Sequence, residues 1–372
     1  MDGGTSVSAG AAATGWIPPR PKTVRDIETP ALVVDLDALE HNIRTISSAL
    51  EGASPVLRPH VKNHKTPELA RMQLDAGARG VTCATLGEAE AMFRGGITDI
   101  LIANEVVGRP KIAHLVDLVR RGADVKVAVD SAFGARELSK AAGDAGVEVG
   151  VLVDLDVGLG RCGIEPGAKA VELARLVHSL PGLRLMGVMA YEGHAGMIDD
   201  PEKRAAACRR SLGLAVETKR AIEAAGLPCP VLSSSNTRTL AIAATVSGVS
   251  EIQAGMYLFM DPVFQTFNLP YKQAVFVLST VISATGKRAI ADGGVKSVTG
   301  FRGMPKLRDN PNWEVTRLSA EHAWLDTKGA PDLAVGDLVW LVPGYGDGVA
   351  VLHKWMYAVR GETVEGVWRI GE

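Results

Sequence analysis

From Pro30 onward the chain alternates short apolar runs with longer amphipathic stretches, and this alternation constrains the fold most. Runs at 31–36, 56–62, 80–84, 99–103, 125–129, 149–154, 185–191 and 230–234 have the length and content of strands. Between them, 36–50, 66–76, 86–95, 111–121, 132–145, 168–180 and 202–225 carry apolar residues at helical spacing. Near-continuous apolar strands are buried on both faces, and strands joined by helices run parallel. The pattern is therefore α/β, and eight such units in about 220 residues suit a closed (β/α)8, TIM-like barrel better than an open sheet. The first strand also lacks the GxGxxG turn of a dinucleotide-binding sheet.

After about Val275 the texture changes. Runs at 275–284, 287–291, 323–325, 338–342 and 362–369 read as short strands between Gly, Pro and Asp turns, a compact appended β domain. The expected division is a flexible lead-in over 1–25, a barrel over 26–275 and the β domain over 276–372. The lead-in is rich in Gly, Ala, Ser and Pro, lacks the order of a signal peptide, and orders only where Trp16, Ile17 and Pro18 meet a surface. Forty Lys and Arg against 42 Asp and Glu give a net charge of −2, which points to neither nucleic acid nor a membrane surface. No apolar run has the length of a transmembrane helix. Cys83, Cys162, Cys208 and Cys229 lack CxxC spacing, which suggests reduced thiols in a cytoplasmic protein rather than disulfides or a zinc site.

Barrel chemistry gathers at the C-terminal ends of strands. The second run leads into Arg58-Pro59-His60-Val61-Lys62-Asn63-His64-Lys65, and in an extended strand Arg58, His60 and Lys62 share one face. A lysine beside other cations loses its proton more readily, which favours Schiff-base chemistry with a carbonyl; a solvated basic loop is the competing reading. Other runs end at Asn104-Glu105, Asp130, Asp154 to Gly163, and Tyr191-Glu192-Gly193-His194. The last ends at Ser233-Ser234-Ser235-Asn236-Thr237-Arg238-Thr239, ahead of an apolar stretch. That segment reads either as a phosphate-holding helix start or as a polar loop with a Ser or Thr cap.

These residues together resemble a known family. Arg58 to Lys65 is similar to the RPHxKxHK signature of the D-threonine aldolase and D-serine dehydratase group, which includes 3-hydroxy-D-aspartate aldolases. Asn104 to Gly108, Asp156 to Gly163, Glu251 to Asp261, Asp292 to Lys296, Glu321-His322 and Val335 to Asp337 extend the match from about Asp26 to the C-terminus. The resemblance implies a pyridoxal 5'-phosphate enzyme of fold type III, an alanine-racemase-like barrel plus β domain, acting as a homodimer on small amino acids. It implies that Lys62 carries the cofactor, with Arg161, Tyr191 and Tyr257 around it and Ser234, Ser235, Asn236, Thr237 and Arg238 at its phosphate. His60, His64, Glu192, His194 and His322 are the implied acid–base candidates. Arg302 and Arg317 read as surface residues, with substrate-carboxylate binding as the alternative.

Three departures stand out. The phosphate loop has serines, Asn236 and Arg238 where the family has mostly glycines. Glu192 follows the tyrosine where aldolases often have histidine. In Pro343-Gly344-Tyr345-Gly346-Asp347, Tyr345 replaces the histidine that binds a divalent ion (Mn, Mg or Zn) with Asp347, and a neutral phenol is a poor ligand for such an ion. The leading expectation is retro-aldol cleavage of β-hydroxy-D-amino acids to glycine and an aldehyde. The alternatives are metal-independent dehydration, deamination or racemisation through Lys62, and a non-catalytic pyridoxal-phosphate-binding protein.

Overall fold

The computed structural model describes residues 18–285, 288–328 and 333–371. The expectations for Trp16, Ile17 and Lys287 lie outside the described residues.

The first strand, β1 (Ala31–Asp35), is followed by eight short parallel ones. These are β2 (Val56–Leu57), β3 (Val81–Cys83), β4 (Asp99–Glu105), β5 (Asp124–Val129), β6 (Val149–Asp154), β7 (Leu183–Ala190), β8 (Val231–Ser234) and β9 (Glu251–Ile252). They lie in the order β2-β9-β8-β7-β6-β5-β4-β3. The seam between β2 and β3 is closed by a parallel bridge of His60 to Thr82 and by N–H donation from Arg79 to Leu57 and from Thr82 to Pro59, each at 2.8 Å. The eight strands thus close into a parallel barrel. Several of its helices start where short polar side chains accept backbone N–H groups: Asp35 from Ala38, Thr85 from Glu88, Ser131 from Gly134, and Asp200 from Glu202 and Lys203.

The C-terminal strands are β10 (Val275–Thr285), β11 (Arg288–Ala291), β12 (Lys306–Leu307), β13 (Glu314–Leu318), β14 (Ala323–Asp326), β15 (Leu338–Val342), β16 (Trp355–Arg360) and β17 (Thr363–Arg369). With β1 they form a nine-stranded sheet. The expected first barrel strand therefore belongs elsewhere: β1 pairs antiparallel with β10 and parallel with β16. Both of its faces are apolar and both find cores. Ala31 and Val33 pack with Phe276, Leu278 and Trp340, while Leu32 and Val34 join the main core. The eighth barrel position goes to β9, whose two residues have no period to read.

The expected strand over 56–62 is also corrected. It ends at Leu57, and Val61–Asn63 forms a 3-10 turn capped by His60, whose Nδ1 accepts the Lys62 N–H at 3.4 Å. Arg58 consequently leaves the face expected for it. Its guanidinium is buried, donating to Asp99 at 2.7 Å and to Glu251 at 2.9 Å, the first residues of β4 and β9. Lys126 of β5 joins Asp99 at 2.7 Å. This ion network plugs the N-terminal end of the barrel.

Candidate active site

The C-terminal ends of the barrel strands surround a cleft of about 340 Å³. The 3-10 turn after β2 and its capping residue contribute His60, Lys62 and Asn63; β4 contributes Ala103 and Asn104. The loop after β6 brings Arg161 and Cys162, and β7 with its loop brings Met189, Tyr191, Gly193, Gly196 and Met197. Ser235 to Arg238 follow β8, and Gln253, Gly255 and Met256 follow β9. Arg302, Tyr345 and Asp347 come from loops of the C-terminal sheet, so the cleft sits where barrel and sheet meet.

The tight turn aims Lys62 into this cleft, where its Nζ lies 3.5 Å from Asp347 Oδ2. The Tyr345 hydroxyl donates to the same oxygen at 3.2 Å, and Asp347 Oδ1 is buried with no hydrogen-bond partner among the described residues. Burial, then the Asp347 charge, pushes the Tyr345 phenol up to about 12. Burial and the positive charge of Lys62 hold His60 well below the usual imidazole range, so it is neutral. Arg161 lies over the Tyr191 ring at 5.4 Å, and Arg302 over Tyr345 at 4.7 Å. At the end of β6, burial and then the Glu105 carboxylate raise Asp154 well above the usual carboxylate range.

The loop after β8 is organised from behind. Glu192 is fully buried and accepts the Ser234 hydroxyl at 2.7 Å, the Ser235 N–H at 3.1 Å and the Thr239 hydroxyl at 2.5 Å. Ser235 takes a left-handed φ of 79°, a conformation natural to glycine. Arg238 turns away: its guanidinium donates to the carbonyls of Gly196 and Ile198 and lies 3.1 Å from the Phe267 ring centroid. Thr237 Oγ1 accepts the Tyr257 N–H at 3.0 Å. What the loop leaves over is the Asn236 amide, whose Nδ2 is buried with no partner among the described residues.

Several expected site residues do not line the cleft. Ser234 and Glu192 lie behind the loop. His64 is buried, its Nδ1 accepting the Thr66 N–H at 3.0 Å. Tyr257 is buried too, its hydroxyl accepting from Gln73 at 2.6 Å. His194 packs beside Ser211, 3.3 Å from its hydroxyl, and His322 is exposed against Trp324. Arg317 lies over Trp324, whereas Arg302 reaches the cleft. Asn63, Cys162, Gln253 and Met256 line it without having been singled out, although each lies in or beside a family-like motif. Met197 and Phe264 carried no signal.

Residues 34–262 match the family model of the alanine racemase N-terminal domain, and 274–359 match that of a putative serine dehydratase domain. The D-threonine aldolase of Arthrobacter sp is 36% identical, with 92% of each chain covered. The chain belongs to this family. The crystal structure of D-threonine aldolase from Filomicrobium marinum superposes with a TM-score of 0.90 at 35% identity, covering 95% of this chain and 98% of that one. D-threo-3-hydroxyaspartate dehydratase from Delftia sp. HT23 superposes at 0.84 with 31% identity, covering 94% and 99%. This member of the D-threonine aldolase family is accordingly a lyase-type enzyme on the pyridoxal-phosphate-dependent fold.

The cleft suits that cofactor. Lys62 offers a primary amine, and the unpaired Asn236 amide offers a buried donor to an anion. Glycines keep the walls back: a Cβ at Gly255 would meet the His60 carbonyl oxygen at 2.5 Å, and one at Gly193 the Tyr191 ring at 2.5 Å. A divalent metal is different. Asp347 is one carboxylate, Tyr345 is a neutral phenol already donating to it, and among the described residues no group of three His, Cys, Asp or Glu is placed to hold an ion. The donor set does not fit a metal.

Proposed function

We propose that this enzyme cleaves β-hydroxy-D-amino acids between Cα and Cβ, releasing glycine and an aldehyde. The observation that carries the reading is Lys62 in the strand-end cleft, with the Asp347 carboxylate 3.5 Å away. Lys62 would hold pyridoxal 5'-phosphate, with Asn236 at the phosphate and Arg161 and Tyr191 beside the ring. When bound, that group supplies an electron sink for the bond at Cα that breaks. The chain's residues do the rest: neutral His60 offers a hydrogen bond without adding charge, and Arg302 at the sheet-side wall can meet a carboxylate. The likeness to a D-threo-3-hydroxyaspartate dehydratase supports a second reading, loss of the β-hydroxyl to give a keto acid and ammonia.

We further read the enzyme as a cytoplasmic homodimer; no helix among the described residues is long and apolar enough to cross a membrane. The test is incubation of the cofactor-loaded protein with D-threonine, D-phenylserine and 3-hydroxy-D-aspartate, assaying aldehyde, glycine, keto acid and ammonia. Glycine with aldehyde is expected, and Lys62→Ala should lose both turnover and the visible absorption of bound cofactor. Keto acid with ammonia would establish the second reading instead.

A further inference from the structure

Asp347 has two oxygens in different states. Oδ2 takes the Tyr345 hydroxyl at 3.2 Å and faces Lys62 Nζ at 3.5 Å. Oδ1 is buried and accepts nothing among the described residues, although the side chain lines the cleft. With Oδ1 closed to solvent, a hydroxyl entering the cleft meets the carboxylate at Oδ2, the oxygen that faces Lys62. Tyr345 is itself fixed, with Phe301 edge-on at 5.4 Å and the Arg302 guanidinium over its ring. The backbone between the two residues is pinned as well, since the Gly346 N–H donates to the buried Asp261 carboxylate at 3.1 Å.

We infer that this chain has replaced a metal centre by a tyrosine-locked carboxylate: Asp347 is the base that takes the β-hydroxyl proton of the substrate, and Tyr345 is the residue that positions it. The inference rests on the retro-aldol reading. In the step, the β O–H proton passes to Asp347 Oδ2 and the oxygen's electron pair forms the aldehyde C=O. The Cα–Cβ bond breaks with its pair retained at Cα. That carbon takes up one proton to become the methylene of glycine, and Asp347 returns its own proton to solvent. No oxidant, reductant or metal enters the balance. The Tyr345 hydroxyl takes one lone pair of Oδ2 and fixes the carboxylate's orientation, leaving the other lone pair as the acceptor, and a carboxylate held in one rotamer is an effective base.

The test uses the cofactor-loaded enzyme and its Asp347→Asn, Tyr345→Phe and Tyr345→His variants. It measures kcat and KM for aldehyde release before and after chelation, and Mn2+ bound per chain by electron paramagnetic resonance. Wild type should keep its rate after chelation and bind no stoichiometric Mn2+. Asp347→Asn should lose about 10²- to 10⁴-fold in kcat with KM nearly unchanged, as removal of a general base does. Tyr345→Phe should lose about tenfold to a hundredfold in kcat, the effect of one hydrogen bond to a charged group. Tyr345→His should gain Mn2+ binding and a chelator-sensitive rate. Unaltered absorption of bound cofactor would exclude misfolding in each variant. Stoichiometric Mn2+ in wild type, or a wild-type rate in Asp347→Asn, overturns the inference. If wild type releases no aldehyde from any substrate, the retro-aldol reading fails; Mn2+ binding by wild type and Tyr345→His then still decides whether the tyrosine has displaced a metal.

Discussion

His60 and His64 stand four residues apart in one cationic turn, and the fold uses them oppositely. His60 lines the cleft, whereas His64 is fully buried beneath it with Nδ1 accepting the Thr66 N–H. Burial pushes His64 down to about 3, against about 6.5 in an unfolded chain. Below pH 6.5 the unfolded chain therefore binds a proton that the folded chain refuses, and folding stability falls as pH drops from 6.5 towards 3. The slope is about 1.4 kcal/mol per pH unit for one such group. His64→Gln removes that proton uptake. Urea unfolding should show the variant less stable than wild type at pH 7, with the gap narrowing at about that slope between pH 6 and 4. A constant gap would mean that His64 titrates alike in both states. In the sequence the two histidines were indistinguishable, because an extended strand through 56–62 was expected and only the 3-10 turn separates their directions. The same turn sent Arg58 away from Lys62.

At the scale of elements, strand types and order were legible because burial on both faces writes an apolar run, and a helix writes a 3.6-residue period. Partnership was less so. Strand β1 reads like any barrel strand, yet its two apolar faces serve two cores, and β9 is too short to show a pattern. The loop after β8 was legible as polar but not as to which side chains turn inward. Its hydroxyls at Ser234 and Thr239 satisfy Glu192, and Arg238 is held by carbonyls of the loop after β7. Glu192 thus does for this loop part of what glycines would do by conformation: it fixes the backbone at Ser235 in a left-handed turn and leaves Asn236 free to donate. Glu192→Gln keeps the shape but removes the charge from three hydrogen bonds. Charge-assisted bonds contribute about 1.5–3 kcal/mol each, so a loss of roughly ten- to a hundredfold in pyridoxal-phosphate affinity is expected from partial weakening. Equilibrium titration with the cofactor checks this. Unchanged affinity with a collapsed kcat at saturating cofactor would make Glu192 a participant in the chemistry instead of a brace.

Over the whole molecule, stability and chemistry sit at opposite ends of the barrel. The N-terminal end is sealed by Arg58, Lys126, Asp99 and Glu251, and the C-terminal end opens to the cleft. The cleft's outer wall belongs to the second sheet, through Arg302, Tyr345 and Asp347, so a change in that sheet's surroundings reaches the reacting groups directly. On that wall Phe301 is 64% exposed, with Met304 also uncovered. Their segment lies against the one that carries Tyr345: Phe301 packs edge-on to Tyr345, and a Cβ at Gly344 would meet the Gly303 carbonyl oxygen. Large apolar side chains clustered at the rim of a site mark an interface, and the homodimer proposed above supplies its occupant. Light scattering after gel filtration should give twice the 39.2 kDa chain mass. Phe301→Asp places an unpaired charge in the contact and should shift the species towards the monomer, with kcat falling because Tyr345 loses its edge-on partner's support. Diluting wild type to the same monomer fraction separates the two effects. Equal losses of activity would trace the defect to dissociation, and a wild-type monomer at all concentrations would remove the interface from this face.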